Sequence, residues 1–380
     1  MNHLHRRLTS FRIFYSNFYR GFIGKKVSDP KEISMTKYFM YLFAIIFMLT
    51  ASDCRKNPVG PIDDTPGRRD YTWFVDTIYA GGNIIRGIDG ISQTDVWAIS
   101  EAGDLSKTFY HFNGTKWSTD GINRSIAPEA IHAFASNDIW CVGLQGDIWH
   151  YNGTAWSSQA KIPPPNTNYY DLQDVDGNSS TDLYAVGNFS YNGGDLYPLM
   201  YHYDGNTWTR VNVQNILDCS LYKIRCYTQD KALVMGSTHK PDGSVPDSSK
   251  IYLFSGDNLQ EIYSAVETVG SMGDIAKVPG GILLLKGRGL FFFDGTNQQE
   301  LITIQNSEFG NSVEGRGIKD VFFGMWDGIA QYNGADIQYL YNFSDPNIRI
   351  DFIKVFPNSI FINSYNRTLQ INIIFRGYLK

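Results

Sequence analysis

The chain has 380 residues, with 36 glycines, 15% aromatic and only 19% charged residues, and a formal net charge of -5. That mixture favours many short strands joined by Gly and Asn turns over helices, and with no Lys/Arg block in its repetitive part it argues against a nucleic-acid partner. Four cysteines, Cys54, Cys141, Cys219 and Cys226, with no CxxC spacing, argue against a disulfide scaffold and a zinc site.

Residues 1–34 carry Arg6, Arg7, Arg12 and Arg20 among aromatics and read as an extension ahead of a more typical start at Met35. In residues 35–54, Lys37 precedes the apolar run Tyr38 to Ala51, and Cys54 follows it. The run is too short to span a bilayer comfortably and too near the N-terminus for a core helix. The order basic, apolar, small, Cys resembles a bacterial lipoprotein signal, although Asp53 stands where such signals carry a small residue. The resemblance implies lipidation at Cys54 and an anchor in the cell envelope of a Gram-negative bacterium, on either side of the outer membrane. The alternative is an ordinary secretory signal cleaved near Ala51 or Ser52. Residues 55–70, with Pro58, Pro61 and Pro66, read as an extended tether.

From residue 71 to 380 the chain repeats. A turn centred on Gly recurs at Asn113-Gly114, Asn152-Gly153, Asp204-Gly205, Ser255-Gly256, Asp294-Gly295, Asn333-Gly334 and Arg376-Gly377, with Gly-to-Gly steps of 39, 52, 51, 39, 39 and 43 residues. Asn-Gly suits tight turns with positive φ at both central residues. A short apolar strand precedes each turn, such as Ile139-Trp140-Cys141-Val142 or Ile282-Leu283-Leu284-Leu285. A period of about 40 residues holding four strand-length pieces predicts an all-β, seven-bladed β-propeller of four-stranded antiparallel blades. The last unit lacks an outer strand, and Tyr71 to Ile78, YTWFVDTI, resembles one; it is expected to complete the seventh blade and leave no open edge. Cys219 and Cys226 would pair only if the chain doubled back, and Leu221 to Cys226 reads as extended.

The segment from His202 to Trp208, HYDGNTW, has Asp204, Gly205 and Trp208 placed as in the Asp-box hairpin of sialidase-like propellers, and His111 to Trp117 and His150 to Trp156 substitute Asn for Asp. The resemblance implies the fold and carries no function. Sialidase similarity would also bring an arginine cluster and an Arg-Ile-Pro motif; the motif does not occur, and Arg86, Arg225, Arg316 and Arg349 are scattered near expected inner strands.

No residue set points to a catalytic group, a metal or a cofactor. His111, His150 and His202 precede their turns at equivalent positions, as structural residues would. The stretch Asp174-Val-Asp-Gly-Asn178, with Asp182 beyond it, faintly resembles a calcium loop but matches Asp89 to Asp95 of the first unit, so both read as ordinary turns between the first two strands of a blade. The informative departures are insertions: Asn188 to Pro198, Ser237 to Lys250, and the link Lys161 to Tyr170. All three are expected over blades three and four, on the face where blades are linked. Tyr169, Tyr170, Tyr191 and Tyr197 would give that rim flat aromatic surface with polar tips, with His132 and Arg225 as further ligand-contacting candidates.

The favoured function is an exported, lipid-anchored, monomeric binding or scaffold module for a glycan or an envelope protein. One alternative is a glycoside hydrolase or lyase using Asp171, Asp274, Glu314 or Asp351 at the central opening. A third is a subunit of an envelope complex.

Overall fold

The computed structural model describes residues 60–78, 84–101, 104–167, 169–191, 194–214, 216–238, 247–266 and 273–380. The expected extension, signal and lipidation site at Cys54 lie outside them. The described strands form seven four-stranded antiparallel sheets. Their inner strands are Ile85–Ser92, Pro128–Ala135, Tyr169–Ser179, Cys219–Thr228, Gly273–Val278, Phe309–Gly317 and Ile348–Phe356, one for each of blades 1 to 7.

Seven apolar clusters hold the ring, one at each interface between neighbouring blades. The second strands are buried on both faces, which is why Ile282, Leu283, Leu284 and Leu285 are all apolar and 0% exposed. An open ring would leave one interface wet, whereas the cluster joining blade 7 to blade 1 is as complete as the others, with Ile85, Ile88, Val96 and Phe112 packed on Phe356, Phe361 and Ile374.

The first described strand closes the last blade, as expected. Tyr71–Ile78 pairs antiparallel with Ile371–Leu379 in unbroken register from Tyr71 against Leu379 to Ile78 against Asn372. Residues ahead of it, in the stretch expected as a tether, run along blade 6: Gly67 donates to Lys319 O at 2.8 Å, and Ile318 to Asp63 O at 2.9 Å.

The repeated turns have a different geometry from the one expected. Asn113, Asn152, Asp204, Asp294 and Asn333 each accept the backbone N–H groups of the residues two and three positions on, at 2.7–3.3 Å. Only the following Gly takes a positive φ, from 89° to 95°. The Asx side chain therefore caps the turn, and Asp and Asn are interchangeable there because both offer an oxygen. Arg376-Gly377 is not a turn: both residues lie inside the strand Ile371–Leu379. No seventh hairpin of this kind forms among the described residues, because the strand Tyr71–Ile78 takes the outer place of that blade.

Cys219 and Cys226 sit on one extended strand, opposite Thr238 and Ala232, and with Cys141 they are buried free thiols. Seven residue steps along the strand separate them by about 23 Å, far beyond disulfide reach.

Candidate functional site

An inner strand is the edge of its sheet, so its channel-facing N–H groups have no strand partner. Here carboxylates of the preceding blade fill that role. Asp89 accepts from Ala133 N at 3.0 Å, Asp174 from Ile224 N at 2.8 Å, Asp176 from Cys226 N at 2.6 Å and Asp274 from Val313 N at 2.8 Å. Each clamp ties one blade to the next.

The same carboxylates meet cations, three of them on the neighbouring inner strand. Lys354 pairs with Asp89, Arg225 with Asp174 at 2.7 Å, Lys223 with Asp274 at 2.6 Å, and Lys277 of blade 5 reaches Asp176 of blade 3 at 3.7 Å. His132 lies between Asp89 and Asp176, with Nδ1 3.4 and 3.6 Å from them. Burial lowers the His132 pKa against the pull of both carboxylates, so the ring is neutral near pH 7. Burial would raise Asp89 and Asp176, but their cationic neighbours, Lys354 and Lys277 first, hold both below the usual carboxylate value. The middle of the channel is thus largely neutralised within the protein. Glu314 is the exception: burial raises its pKa despite the charges of Lys354, Lys223 and Arg225.

We call the end where the inner strands begin the upper face. Near it, six of the seven inner strands break register with their second strands. The residue left over is Arg86 in blade 1, Glu129 in blade 2, Gln173 in blade 3, Tyr222 in blade 4 and Asp351 in blade 7, and blade 6 breaks between Phe309 and Ser312. Such bulges re-aim a side chain. In three consecutive blades (7, 1 and 2) the re-aimed residue is charged.

Arg86 gives Nε and Nη2 to one oxygen of Glu101, at 2.9 and 2.6 Å, and stands 4.0 Å from Glu129. Asp351 is exposed at its tip, and the protein around it raises its pKa to about 6, with Arg86 and Arg367 opposing. Burial raises Glu129 as well, and Arg86 only partly offsets it. Asn363, fully buried on the neighbouring strand, points Nδ2 at Asp351 Oδ2 at 3.4 Å.

Of the other carboxyls expected at the opening, Asp171 caps Gln145 N at 2.8 Å and Asp274 is held by Val313 N and Lys223. Both are structural clamps. The mouth formed by Arg86, Glu129 and Asp351 was only partly visible in sequence, because a bulge displaces one residue and leaves no composition signal. A charged residue breaking an apolar inner strand at the same place in adjacent units is the sign that could have found it.

The rim over blades 3 and 4 lies on the same upper face. Tyr169, Ser190 and Leu196 share one end of blade 3, and Cys219, Thr238 and Ser248 the same end of blade 4. Much of each insertion lengthens strands: the second and third strands of blade 3 are Asp182–Ser190 and Leu196–Tyr203. Residues 239–246 of the other insertion lie outside the described residues. Tyr191 and Tyr197 meet edge to face at 5.6 Å, and both contact Phe189, which lies under Arg210. Tyr169 is 47% and Tyr191 42% exposed, while Tyr197 is half-buried. Tyr170 is buried, its ring against Gly146, where a Cβ would lie 2.5 Å from it. That position therefore packs the blade and offers no surface. Arg225 is tied by Nη1 to Asp174 and to Ile224 O, at 2.7 and 2.5 Å.

The three repeated histidines each bond an Asp at the head of the second strand: His111 to Asp95, His150 to Asp138 and His202 to Asp182, all at 2.8 Å. Each ring also lies 4.3–4.4 Å from Trp97, Trp140 or Tyr184. Among the described residues no group of three or more His, Cys, Asp or Glu could hold a metal ion. The faint calcium-loop stretch Asp174–Asn178 is neither loop nor turn; it lies within the inner strand Tyr169–Ser179, as Asp89 lies within Ile85–Ser92.

No family model matches the chain, and no curated protein matches it in sequence. Its fold is shared with solved structures. A catalytically inactive virginiamycin B lyase from Staphylococcus aureus with quinupristin superposes with a TM-score of 0.58 at 12% identity, covering 82% of this chain and 100% of that one. YCF48 bound to D1 peptide gives 0.52 at 16%, covering 83% and 100%. The WD40 β-propeller domain of Doa1 gives 0.52 at 12%, covering 80% and 96%. These similarities establish a β-propeller, a fold shared by a lyase and a peptide-bound protein alike.

Proposed function

We propose that the chain is an exported, lipid-anchored binding module of a bacterial cell envelope, and that its upper face takes a protein or peptide. The observation that carries this reading is the pair Tyr191 and Tyr197, the first just past the end of one lengthened strand and the second on its neighbour, beside the exposed Tyr169. Aromatic rings with polar tips, held rigidly, lose little entropy on contact. A propeller of the same fold, YCF48 bound to D1 peptide, lends the reading support at the level of fold. Export and anchoring rest on the Tyr38 to Ala51 run and Cys54. Metabolic labelling with a lipid analogue, lost in Cys54→Ala, tests them.

The binding reading is tested by a peptide and glycan array probed with the purified protein. Peptide ligands whose capture falls at least tenfold in a Tyr191→Ala, Tyr197→Ala double variant support it. Glycan-only capture changes the ligand class, and capture unaffected by the double variant removes the rim.

A second reading, a carbohydrate-active enzyme, is favoured by one observation: Asp351 titrates near 6 with Glu129 two blades away across Arg86. Carboxyls with displaced pKa values are what acid–base cleavage of a glycosidic bond requires. Turnover of polysaccharide lost in both Asp351→Asn and Glu129→Gln would establish it.

A further inference from the structure

We propose that the strap of residues 60–70 holds the ring with its lower face toward the membrane, so that the upper face is displayed away from the bilayer. This orientation rests on the reading that Cys54 carries a lipid.

The lower face lies opposite the upper one, where each inner strand turns into its second strand. The strap crosses it from blade 5 to blade 7. Ile62 lies on Gly280, in the turn after the inner strand of blade 5, so closely that a Cβ there would stand 2.8 Å from Ile62 Cα. In the equivalent turn of blade 6, Asp63 O accepts from Ile318 N at 2.9 Å, and a Cβ on Gly317 would come 2.4 Å from that oxygen. Gly67 N donates to Lys319 O at 2.8 Å, and Asp64 pairs with Lys319 at 3.2 Å. Gln331 Nε2 donates to Arg68 O at 3.0 Å, and Arg69 meets Asp336 at 2.8 Å. Lys380 N then donates to Asp70 O at 3.0 Å, where the strand Tyr71–Ile78 starts at the lower end of blade 7. Backbone bonds, ion pairs and two glycines that leave no room for a side chain agree on one path. The strap is therefore part of the lower face.

Large apolar side chains are exposed at the other end. Leu105, Leu217, Trp326 and Leu369 stand at the upper ends of blades 1, 4, 6 and 7, with Tyr169 and Tyr191 on the rim. Lower turns read instead Asn113 to Thr115, Asn152 to Thr154 and Asp204 to Asn206. Apolar and aromatic tips also suit a bilayer interface, so chain length decides between the two faces. Cys54 and Ile62 are separated by eight residue steps, which span at most about 28 Å. To lay the upper face on the bilayer, that chain would first pass under the other three strands of a blade, about 14 Å of interstrand spacing. It would then climb the blade, about 26 Å for the nine residues of Phe309–Gly317. About 40 Å is needed where about 28 Å is available. The lower face needs no detour.

The full-length protein, purified from membranes, is inserted into the outer leaflet of preformed phosphatidylethanolamine–phosphatidylglycerol vesicles that carry an acceptor dye on a headgroup. A donor dye is placed on one added cysteine, in Asn358→Cys at the lower end of blade 7 or in Leu369→Cys at its upper end. Cys141, Cys219 and Cys226 are buried, whereas both chosen positions are exposed. Energy transfer is expected to be about threefold or more higher from Asn358→Cys, the two sites standing about 25 Å apart along the strand between them. A flexible Gly-Ser insertion of about twenty residues after Asn57, ahead of the strap, should bring the two signals together. Equal transfer from the two sites, higher transfer from Leu369→Cys, or a difference that the insertion leaves intact would overturn the orientation and leave the anchor standing. Wild-type protein that does not float with the vesicles would remove the anchor, and the orientation with it.

Discussion

Asp76 and Arg376 stand 300 residues apart in sequence and meet at two points, Oδ2 to Nε at 2.6 Å and Oδ1 to Nη2 at 2.9 Å. The pair joins the first described strand, Tyr71–Ile78, to the last, Ile371–Leu379. Trp117 of blade 1 donates its indole N–H to the same Asp76 at 3.0 Å, and the Arg376 guanidinium lies 4.7 Å over the Phe112 ring. One ion pair therefore couples the closing strand to the blade on the far side of the seam.

Removing either partner leaves a mostly buried charge without its counterpart. Arg376→Ala should cost about 2–4 kcal/mol, measured by urea denaturation. It should also raise hydrogen exchange in Tyr71–Ile78 before any other outer strand. A loss confined to a few tenths of a kcal/mol would show that the seam is held by backbone pairing alone.

The second prediction concerns the repeated Asp–His–aromatic clasp. Asp138 accepts from Trp140 Nε1 at 3.0 Å and meets His150 Nε2 at 2.8 Å. Asp138→Ala removes the one oxygen that accepts from Trp140 and meets His150, and should destabilise by about 1–3 kcal/mol, with a shift in tryptophan emission as the Trp140 environment changes. Equivalent substitutions at Asp95 and Asp182 should behave alike, and a loss at only one of the three would mark that copy as functional.

Acid and neutral pH should act on the channel in opposite senses. Asp89 and Asp176 have folded pKa values below the unfolded value of 3.8, so the stability they contribute is present above that value and is lost as the pH falls through the folded ones. Asp351 has a folded value of about 6, above its unfolded 3.8, so it costs stability once the pH rises past 6, and that cost vanishes below 3.8. Asp351→Asn should therefore stabilise the protein at pH 7.5 by about 1 kcal/mol, discounted for the water that reaches the carboxyl. It should do nothing at pH 3.5. Urea titrations of both proteins at the two pH values measure this directly.

The repeat was legible because each blade restates the same needs: an apolar second strand buried on both faces, and a turn that needs an Asx oxygen and a Gly. Arg376-Gly377 misled because a dipeptide alone does not reveal whether a strand continues through it. The closing strand Tyr71–Ile78 was readable by its likeness to other outer strands. The mouth was harder. Asp351 stood out as a carboxyl near an inner strand, but Glu129 gained its position only through a bulge, and Asp171 and Asp274 looked the same in sequence while serving as caps. The difference lies in which backbone N–H each one meets, a matter of register between blades. The tyrosines divided likewise: Tyr170 turned inward onto Gly146 while its neighbour Tyr169 stayed exposed, because adjacent strand residues face opposite sides.

Hydrogen exchange of the protein with and without its best array ligand tests most directly whether the upper face is where partners bind. Protection is expected at the heads of the inner strands and at residues 186–191 and 194–200, with the turns at residues 93–94, 136–137 and 229–230, at the other ends of their blades, unchanged. Protection confined to those turns, or spread over the outer strands, would contradict it.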